Sequence, residues 1–336
     1  MSIQIQTNAS LQPHNSMAVP AKADALVCVS SLDQLHQSLN YANSNALKVL
    51  VLGEGSNTVF ENDYEGLVIL NRIKGIDVIS ENKDSVMVRV SAGENWHEFV
   101  EYSINNDWYG AENLAFIPGL VGAAPMQNIG AYGVEVKDII ESVDFLHIAS
   151  GKRETLSNKE CEFAYRESCF KNKLINKVII TSVTFCLSKE SRVDVRYPAL
   201  IDFLPDNPTP KDVFHAVIKI RSSKLPLPAK IPNTGSFFKN PIISQQQHAR
   251  LKSSYPDLIS YKAGKEFKLA AGWVIEKAGW KQRQYNDVSV HDKQALVLIN
   301  PSKRPGRDVL EFARQIQVDI KSKFDVTLEV EPRIYT

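Results

Sequence analysis

A serine stands alone in Asn233–Pro241, NTGSFFKNP, between a glycine and two phenylalanines, with a lysine, an asparagine and a proline close behind. Asn233, Gly235 and Ser236 are ordinary turn residues and Pro241 stops any regular element running past it, so a plain turn is one reading. A hydrolase nucleophile is a poor alternative: the G-x-S-x-G elbow needs a glycine two places after the serine, where Phe238 stands. Two glycine-bearing segments offer other chemistry. Gly53–Asn57, GEGSN, starts like a dinucleotide fingerprint, but Thr58 replaces the third glycine and TVF does not open a helix. Successive backbone N–H groups in so tight a loop can still form an anion-holding nest suited to a pyrophosphate, and a strand-to-strand turn fits equally. In Ile117–Gly133, IPGLVGAAPMQNIGAYG, four glycines, three alanines and two prolines surround Gln127 and Asn128. Such a run lets backbone approach a flat ligand while amides bond its heteroatoms; a tight crossing of two backbones is the alternative.

The elements that must position these groups alternate in type. Asp33–Ala42 reads as a helix, Lys48–Asn57 as a buried strand entering the glycine loop, and Gly66–Ile73 as a second strand. Ser85–Gly93 is a strand and Asn95–Asp107 a helix; Val143–Ser157 forms two strands around a Ser-Gly turn, and Val178–Ser188 another strand. Pro226, Pro228 and Pro232 mark an extended, linker-like connection opening a third block. Beyond it a helix is expected at Lys268–Gly279, a strand at Gln294–Asn300, a long helix at Arg307–Phe324 and a strand at Val326–Tyr335. In the long helix Val309, Ala313, Ile316 and Ile320 share one face.

Composition sets the surroundings. A chain of 336 residues, 43% hydrophobic and 23% charged, can bury a sizeable core in two or three domains. A net charge of +1 draws in neither nucleic acid nor an acidic membrane, so an anionic ligand has to be met by a few local cations. The partner expected is a small molecule. Four cysteines without a C-x-x-C pair point to reduced thiols and a cytoplasmic setting, and no metal centre is expected. Neither a targeting pattern nor an apolar run of spanning length is read in the chain.

The segments GEGSN, NRIKG, AGENWHEFV, IPGLVGAAPMQNIGAYG, FAYRES, GSFFKNP, KLAAGWVIEKAGW and HDKQALVLIN occur in an order and spacing that resemble the UDP-N-acetylenolpyruvoylglucosamine reductase (MurB) flavoenzyme family. The resemblance runs from about Ala25 to the C-terminus, and the insertion bearing Tyr197 is similar to the longer, type I form. It implies an α+β protein: an FAD-binding fold of the vanillyl-alcohol-oxidase/PCMH type in two α/β subdomains, residues 1–72 and 73–220, and an α/β substrate-binding domain, residues 221–336. It further implies a monomer that uses NADPH to reduce noncovalently held FAD and passes the hydride to the enolpyruvyl ether of a UDP-sugar.

By position, the resemblance implies FAD contacts from Gly53, Glu54, Gly55, Ser56 and Asn57. Others would come from Ile117, Pro118, Gly119, Gly122 and Ala123, and from Gln127, Asn128, Gly130, Ala131 and Gly133. It implies catalytic roles for Arg166, for Ser236 as proton donor and for Glu331, and substrate contacts from Tyr165, Tyr197, Lys224, Asn240, Lys268 and Gln294. The chain departs from the family at Asn15–Pro20, NSMAVP, where Asn-Thr-Phe-Gly is usual, and at Tyr285–Asp287, where small residues are usual. An alcohol-oxidising flavoenzyme of the same fold would not need YRES and GSFFKNP, and a nucleotide-sugar binder without flavin would be colourless.

Overall fold

A computed structural model describes residues 3–336. Its contacts divide the chain into two compact units. The first holds residues up to Ala9, Ala23–Glu54 and Glu65–Ser223; the second holds Ser10–Lys22, Gly55–Tyr64 and Lys224–Thr336. Two short segments of the first third thus pack with the C-terminal part of the chain.

The first unit contains two sheets, each with its own core. In the smaller, the strands run in the order Gln6–Ser10, Lys22–Val29, Tyr64–Asn71, Val49–Leu52, the last two parallel with Val49 opposite Leu67. The helix Leu32–Ser44 precedes the edge strand Val49–Leu52. Ser31 starts it by accepting the Gln34 N–H, which satisfies one of the donors a first turn leaves open. Its buried stripe, Leu35, Leu39 and Ala42, packs with Val27, Val29, Leu67 and Ile69.

The larger sheet is antiparallel, in the order Arg153–Ser157, Ile140–His147, Val178–Ser188, Ser85–Ser91, Ile76–Glu81. Its alternating residues feed a second core. There Phe185 meets Trp96 at 5.9 Å and Phe99 at 4.9 Å, both from the helix Trp96–Asn105. The helix Pro210–Lys224 adds Val213, Phe214, Val217 and Ile220 to that core. From sequence this stretch reads as the approach to a linker. Its apolar face joins that core, where Phe214 stacks on His97 of the helix Trp96–Asn105 at 5.7 Å, and this packing overrides the pull of Pro226 and Pro228 just beyond it.

In the second unit a four-stranded sheet runs Asn233–Ser236, Gln294–Ile299, Val288–His291, Gln284–Tyr285. A smaller sheet places Glu266–Leu269 between Ile242–Ile243 and Ser260–Ala263. The helix expected at Lys268–Gly279 starts only at Ala271, because Lys268 and Leu269 are taken into that sheet with Lys268 opposite Ile242 and Tyr261. The long helix Gly306–Phe324 buries the face expected of it, Val309, Ala313, Ile316 and Ile320. At its first residue, Gly306, a Cβ would lie 1.8 Å from the Phe60 carbonyl oxygen. Of the strand expected at Val326–Tyr335, only Arg333–Tyr335 forms a ladder, parallel to Thr58–Phe60.

The departure at Asn15–Pro20 is locally self-sufficient. Asn15 is buried, donates to the carbonyls of Leu11 and Val19 at 2.9 and 3.0 Å, and accepts the Val19 N–H at 2.9 Å. Among the described residues no helix is long and apolar enough to cross a membrane, and no cluster of three or more His, Cys, Asp or Glu side chains could hold a metal.

Candidate active site

The GEGSN loop is where the chain passes from the first unit to the second. Gly53 and Glu54 belong to the first, where the Arg72 guanidinium donates to the Gly53 carbonyl at 3.2 Å. The Glu54 carboxylate accepts the Gly119 N–H and the Asn95 amide, both at 2.9 Å, and so pins this loop to the second glycine segment. Gly55, Ser56 and Asn57 belong to the second unit. Gly55 adopts φ +61°, and a Cβ there would sit 2.2 Å from the His14 carbonyl oxygen; the Asn57 carbonyl accepts the Arg333 N–H at 3.0 Å.

The glycines of the two segments are small for different reasons. At Gly122 a Cβ would fall 2.6 Å from the Ala92 Cβ, and the Gly122 N–H bonds the Ala92 carbonyl at 3.0 Å. This glycine is demanded by a crossing of two backbones. At Gly53 an added Cβ would meet nothing closer than Leu120 at 3.4 Å, an ordinary contact, so internal packing does not require the small residue there. Ile117, Pro118 and Gly119 lead into the short helical turn Val121–Ala123. Gly130–Ala131 pairs with Val134–Glu135, and Tyr132 and Gly133 form the turn at φ +48° and +88°.

Arg166 sits on a tight turn in the first unit. Ala164 and Glu167 exchange both backbone hydrogen bonds, at 3.0 and 3.1 Å, which leaves Tyr165 and Arg166 at the corner. Arg166 has φ +56°, a conformation that costs a side-chain-bearing residue and is kept only where surroundings enforce it. Its Nη2 donates to the Gly130 carbonyl at 2.9 Å, and its guanidinium carbon lies 5.5 Å from the Tyr165 ring centre. Tyr132 and Tyr197 meet edge to face at 5.3 Å. The structure thus gathers Tyr165, Arg166, Gly130, Tyr132 and Tyr197 in one unit.

Arg221 is the residue that reading the sequence misses. Among the described residues it is held by neutral groups, the Phe116 carbonyl at 3.1 Å from Nε and the Tyr132 hydroxyl. Burial pushes its guanidinium below the ordinary arginine range, and the positive charge of Arg166 adds to the effect, yet the side chain keeps some accessible surface. A deeply set cation held by neutral acceptors beside a second cation favours an anionic ligand. The available signal was spacing: Phe214, Val217 and Arg221 fall on one helical face, a cation in register with an apolar stripe.

In the second unit, Ser236 ends the strand Asn233–Ser236 and lies opposite Val297. The register slips between Asn233 and Ser236, where Gly235 takes φ +69° and gives its N–H to the Asn233 side chain at 2.9 Å. Such a bulge re-aims the next side chain, here the serine. Phe237 and Phe238 are fully buried and anchor the strand behind it. The residues just after the strand pair with the chain end: Phe238 bridges Val330, the Glu331 N–H bonds the Phe237 carbonyl at 2.9 Å, and the Lys239 N–H bonds the Glu329 carbonyl at 2.9 Å.

Asn240, Lys268 and Gln294 come together around the start of the helix Ala271–Lys277. The Asn240 side chain accepts the Ala271 N–H at 2.9 Å, a Cβ on Gly272 would lie 3.1 Å from Gln294 Oε1, and Lys268, next to last in the strand Glu266–Leu269, stands three residues before that helix. Lys224 closes the helix Pro210–Lys224, at the head of the proline-marked connection.

Comparison with known proteins identifies what the chain is similar to. Residues 226–335 match the family described as UDP-N-acetylenolpyruvoylglucosamine reductase, C-terminal domain, and residues 23–157 match the FAD binding domain family. The UDP-N-acetylenolpyruvoylglucosamine reductase of Photobacterium profundum is 44% identical, covering 98% of this chain and 96% of its own. That of Aliivibrio fischeri is 42% identical, covering 99% and 95%. The fold is similar to the crystal structure of UDP-N-acetylenolpyruvylglucosamine reductase from Thermus caldophilus, with a TM-score of 0.68, 20% identity and 99% of each chain covered. A solvent-stable cholesterol oxidase matches at a TM-score of 0.53 and 11% identity over 98% of this chain and 87% of its own, which shows a shared fold alone. With full-length relatives at this identity and an FAD-binding domain ahead of the matching C-terminal domain, the chain belongs to the UDP-N-acetylenolpyruvoylglucosamine reductase family of oxidoreductases.

Proposed function

We propose that this protein uses NADPH to reduce UDP-N-acetyl-3-O-(1-carboxyvinyl)glucosamine to UDP-N-acetylmuramate, a step of peptidoglycan precursor synthesis. Residues 1–72 and 73–220 are read as FAD-binding subdomains and 221–336 as the substrate domain, with 10–22 and 55–64 packed alongside the latter. The residues present fit FAD: Gly53 is small without an internal reason, and Arg221 is a deeply set cation held by neutral groups. When bound, FAD supplies hydride transfer between NADPH and the substrate. The two glycine segments would hold it noncovalently in a cytoplasmic monomer, a setting that the free thiols of Cys28, Cys161, Cys169 and Cys186 suit.

Hydride addition at the vinyl methylene leaves negative charge on the adjacent carbon and its carboxylate. Arg166 grips that carboxylate with its guanidinium fork, and Glu331, holding a proton, donates to the developing enolate oxygen. Ser236 then gives its hydroxyl proton to the carbon. Tyr165, Tyr197, Lys224, Asn240, Lys268 and Gln294 hold the nucleoside diphosphate and its sugar. The reading rests most heavily on Ser236, a polar side chain re-aimed by a bulge and anchored by two fully buried phenylalanines. The test is a spectrum of the purified protein, followed by anaerobic NADPH and then the UDP-enolpyruvyl sugar. Bleaching of the flavin by NADPH and return of its colour on adding the sugar are expected. Colourless protein, or reduced flavin that the sugar leaves bleached, would refute the assignment.

A further inference from the structure

Asn128 is fully buried and left-handed, at φ +46°. Its Nδ2 donates to Glu135 Oε2 and to the Ala164 carbonyl, each at 3.0 Å, and its Oδ1 accepts the Lys137 N–H at 3.0 Å. An asparagine amide has two N–H donors, so neither remains for a ligand. These bonds join three stretches of the first unit: the Gly130–Glu135 hairpin, the short helical turn after it, and the Ala164–Glu167 turn that carries Arg166. Two more bonds bracket the amide. Arg166 Nη2 reaches the Gly130 carbonyl at 2.9 Å, and Ser168 Oγ, almost fully buried, reaches the Met126 carbonyl at 2.7 Å. The strained turn is therefore fastened to residues 126–130 at three points, with Asn128 in the middle.

We propose that Asn128 is a positioning residue for Arg166, setting the guanidinium through the Ala164 carbonyl and the Gly130 loop rather than through any contact with FAD. The inference rests on the reading of Arg166 as the group that grips the substrate carboxylate. Glycine accepts a left-handed φ freely, so Asn128→Gly removes all three side-chain bonds without adding backbone strain. In rapid-mixing anaerobic measurements on the FAD-loaded enzyme, reduction by NADPH should match wild type. Reoxidation by the UDP-enolpyruvyl sugar should slow by about 10- to 100-fold, the penalty of a misplaced catalytic group. In steady state kcat should fall by a larger factor than KM rises.

The deciding measurement is a double-mutant cycle. If Asn128 acts through Arg166, adding Asn128→Gly to Arg166→Ala should slow reoxidation by no more than about twofold further. Losses that multiply, or equal slowing of both half-reactions, would overturn the proposal while leaving the role of Arg166 intact. An Arg166→Ala enzyme reoxidised at the wild-type rate would remove the reading of Arg166, and this proposal with it. Should Asn128→Gly not fold, Asn128→Asp keeps the acceptor for Lys137 but sets a carboxylate against Glu135. Its reoxidation rate, relative to wild type, should rise as pH falls and protonation returns one donor; a ratio independent of pH would count against the proposal.

Discussion

In the first unit Asn128, Tyr132 and Arg166 stand on left-handed turns, whereas in the second Ser236 stands at the end of a paired strand. Asn128, Tyr132 and Arg166 all have φ between +46° and +56°, and side-chain bonds to backbone carbonyls hold Asn128 and Arg166 in place. Ser236 is placed by its strand partner Val297 and a single bulge, and Glu331 by the bond from its N–H to the carbonyl of the fully buried Phe237. The first arrangement stores backbone strain against a few hydrogen bonds, so losing one partner should move the charge it carries. The second spreads the constraint over a sheet, so a side chain can be exchanged with its backbone left in register.

The largest effect should come from the strand-borne site, where chemistry can be removed without disturbing position. Ser236→Ala should bind FAD and accept hydride from NADPH as wild type does, yet reduce the UDP-enolpyruvyl sugar about two to four orders of magnitude more slowly, the usual loss of a positioned general acid. Ser236→Cys should recover part of the rate. Reduced Ser236→Ala flavin reoxidised at the wild-type rate would return the serine to the status of a turn residue.

A smaller loss is expected at the turn-borne cation. Lysine offers a point charge where arginine offers a fork, so Arg166→Lys should slow reoxidation by about 10- to 100-fold, the worth of a charged hydrogen bond. Flavin reduction should be spared. If both half-reactions fall together, the residue serves folding, and the contrast between the two units loses its functional half.

The glycines sharpen the comparison in stability rather than rate. Gly122→Ala forces a Cβ to within 2.6 Å of Ala92 and should cost about 1–3 kcal/mol in denaturant unfolding, the usual cost of overpacking. Gly53→Ala meets only ordinary contacts and should leave the apoprotein's midpoint unchanged while weakening FAD retention in equilibrium dialysis. The reverse pattern would mean that Gly53 is structural and Gly122 is the glycine a ligand requires.

The smallest effect is a pH dependence in the first unit. His97 Nδ1 accepts the Phe116 N–H at 3.2 Å, which needs the neutral ring, and burial holds its pKa below the ordinary 6.5. The unfolded chain therefore binds the proton more readily than the folded one. Its contribution to stability is full above about pH 6.5 and is lost as pH falls through the lower folded value. Urea midpoints of wild type should fall faster than those of His97→Phe across that window; parallel curves would show that the contact carries no linkage.

Much of the local structure was legible because periodicity records it: the helix Leu32–Ser44, the hairpin Ile140–Ser157 and the buried face of Gly306–Phe324 follow from spacing alone. The family likewise emerges from motifs in order. What spacing could not convey was partnership. Lys268 reads as helical by propensity but joins a sheet because Ile242 and Tyr261 flank it, and Arg221 is not singled out until Phe116 and Tyr132 are seen to hold it. Asn128 reads as a ligand contact in a small-residue run, yet both its donors are taken by Glu135 and Ala164, the latter 36 residues away in sequence. The division of GEGSN between two units was equally hidden, since it depends on His14 and Arg333 meeting Gly55 and Asn57. The sequence by itself determined which residues could do the chemistry and the elements that carry most of them. Only the tertiary structure decided which hydrogen-bonding groups are already spent, because satisfying a buried donor depends on segments that are distant along the chain.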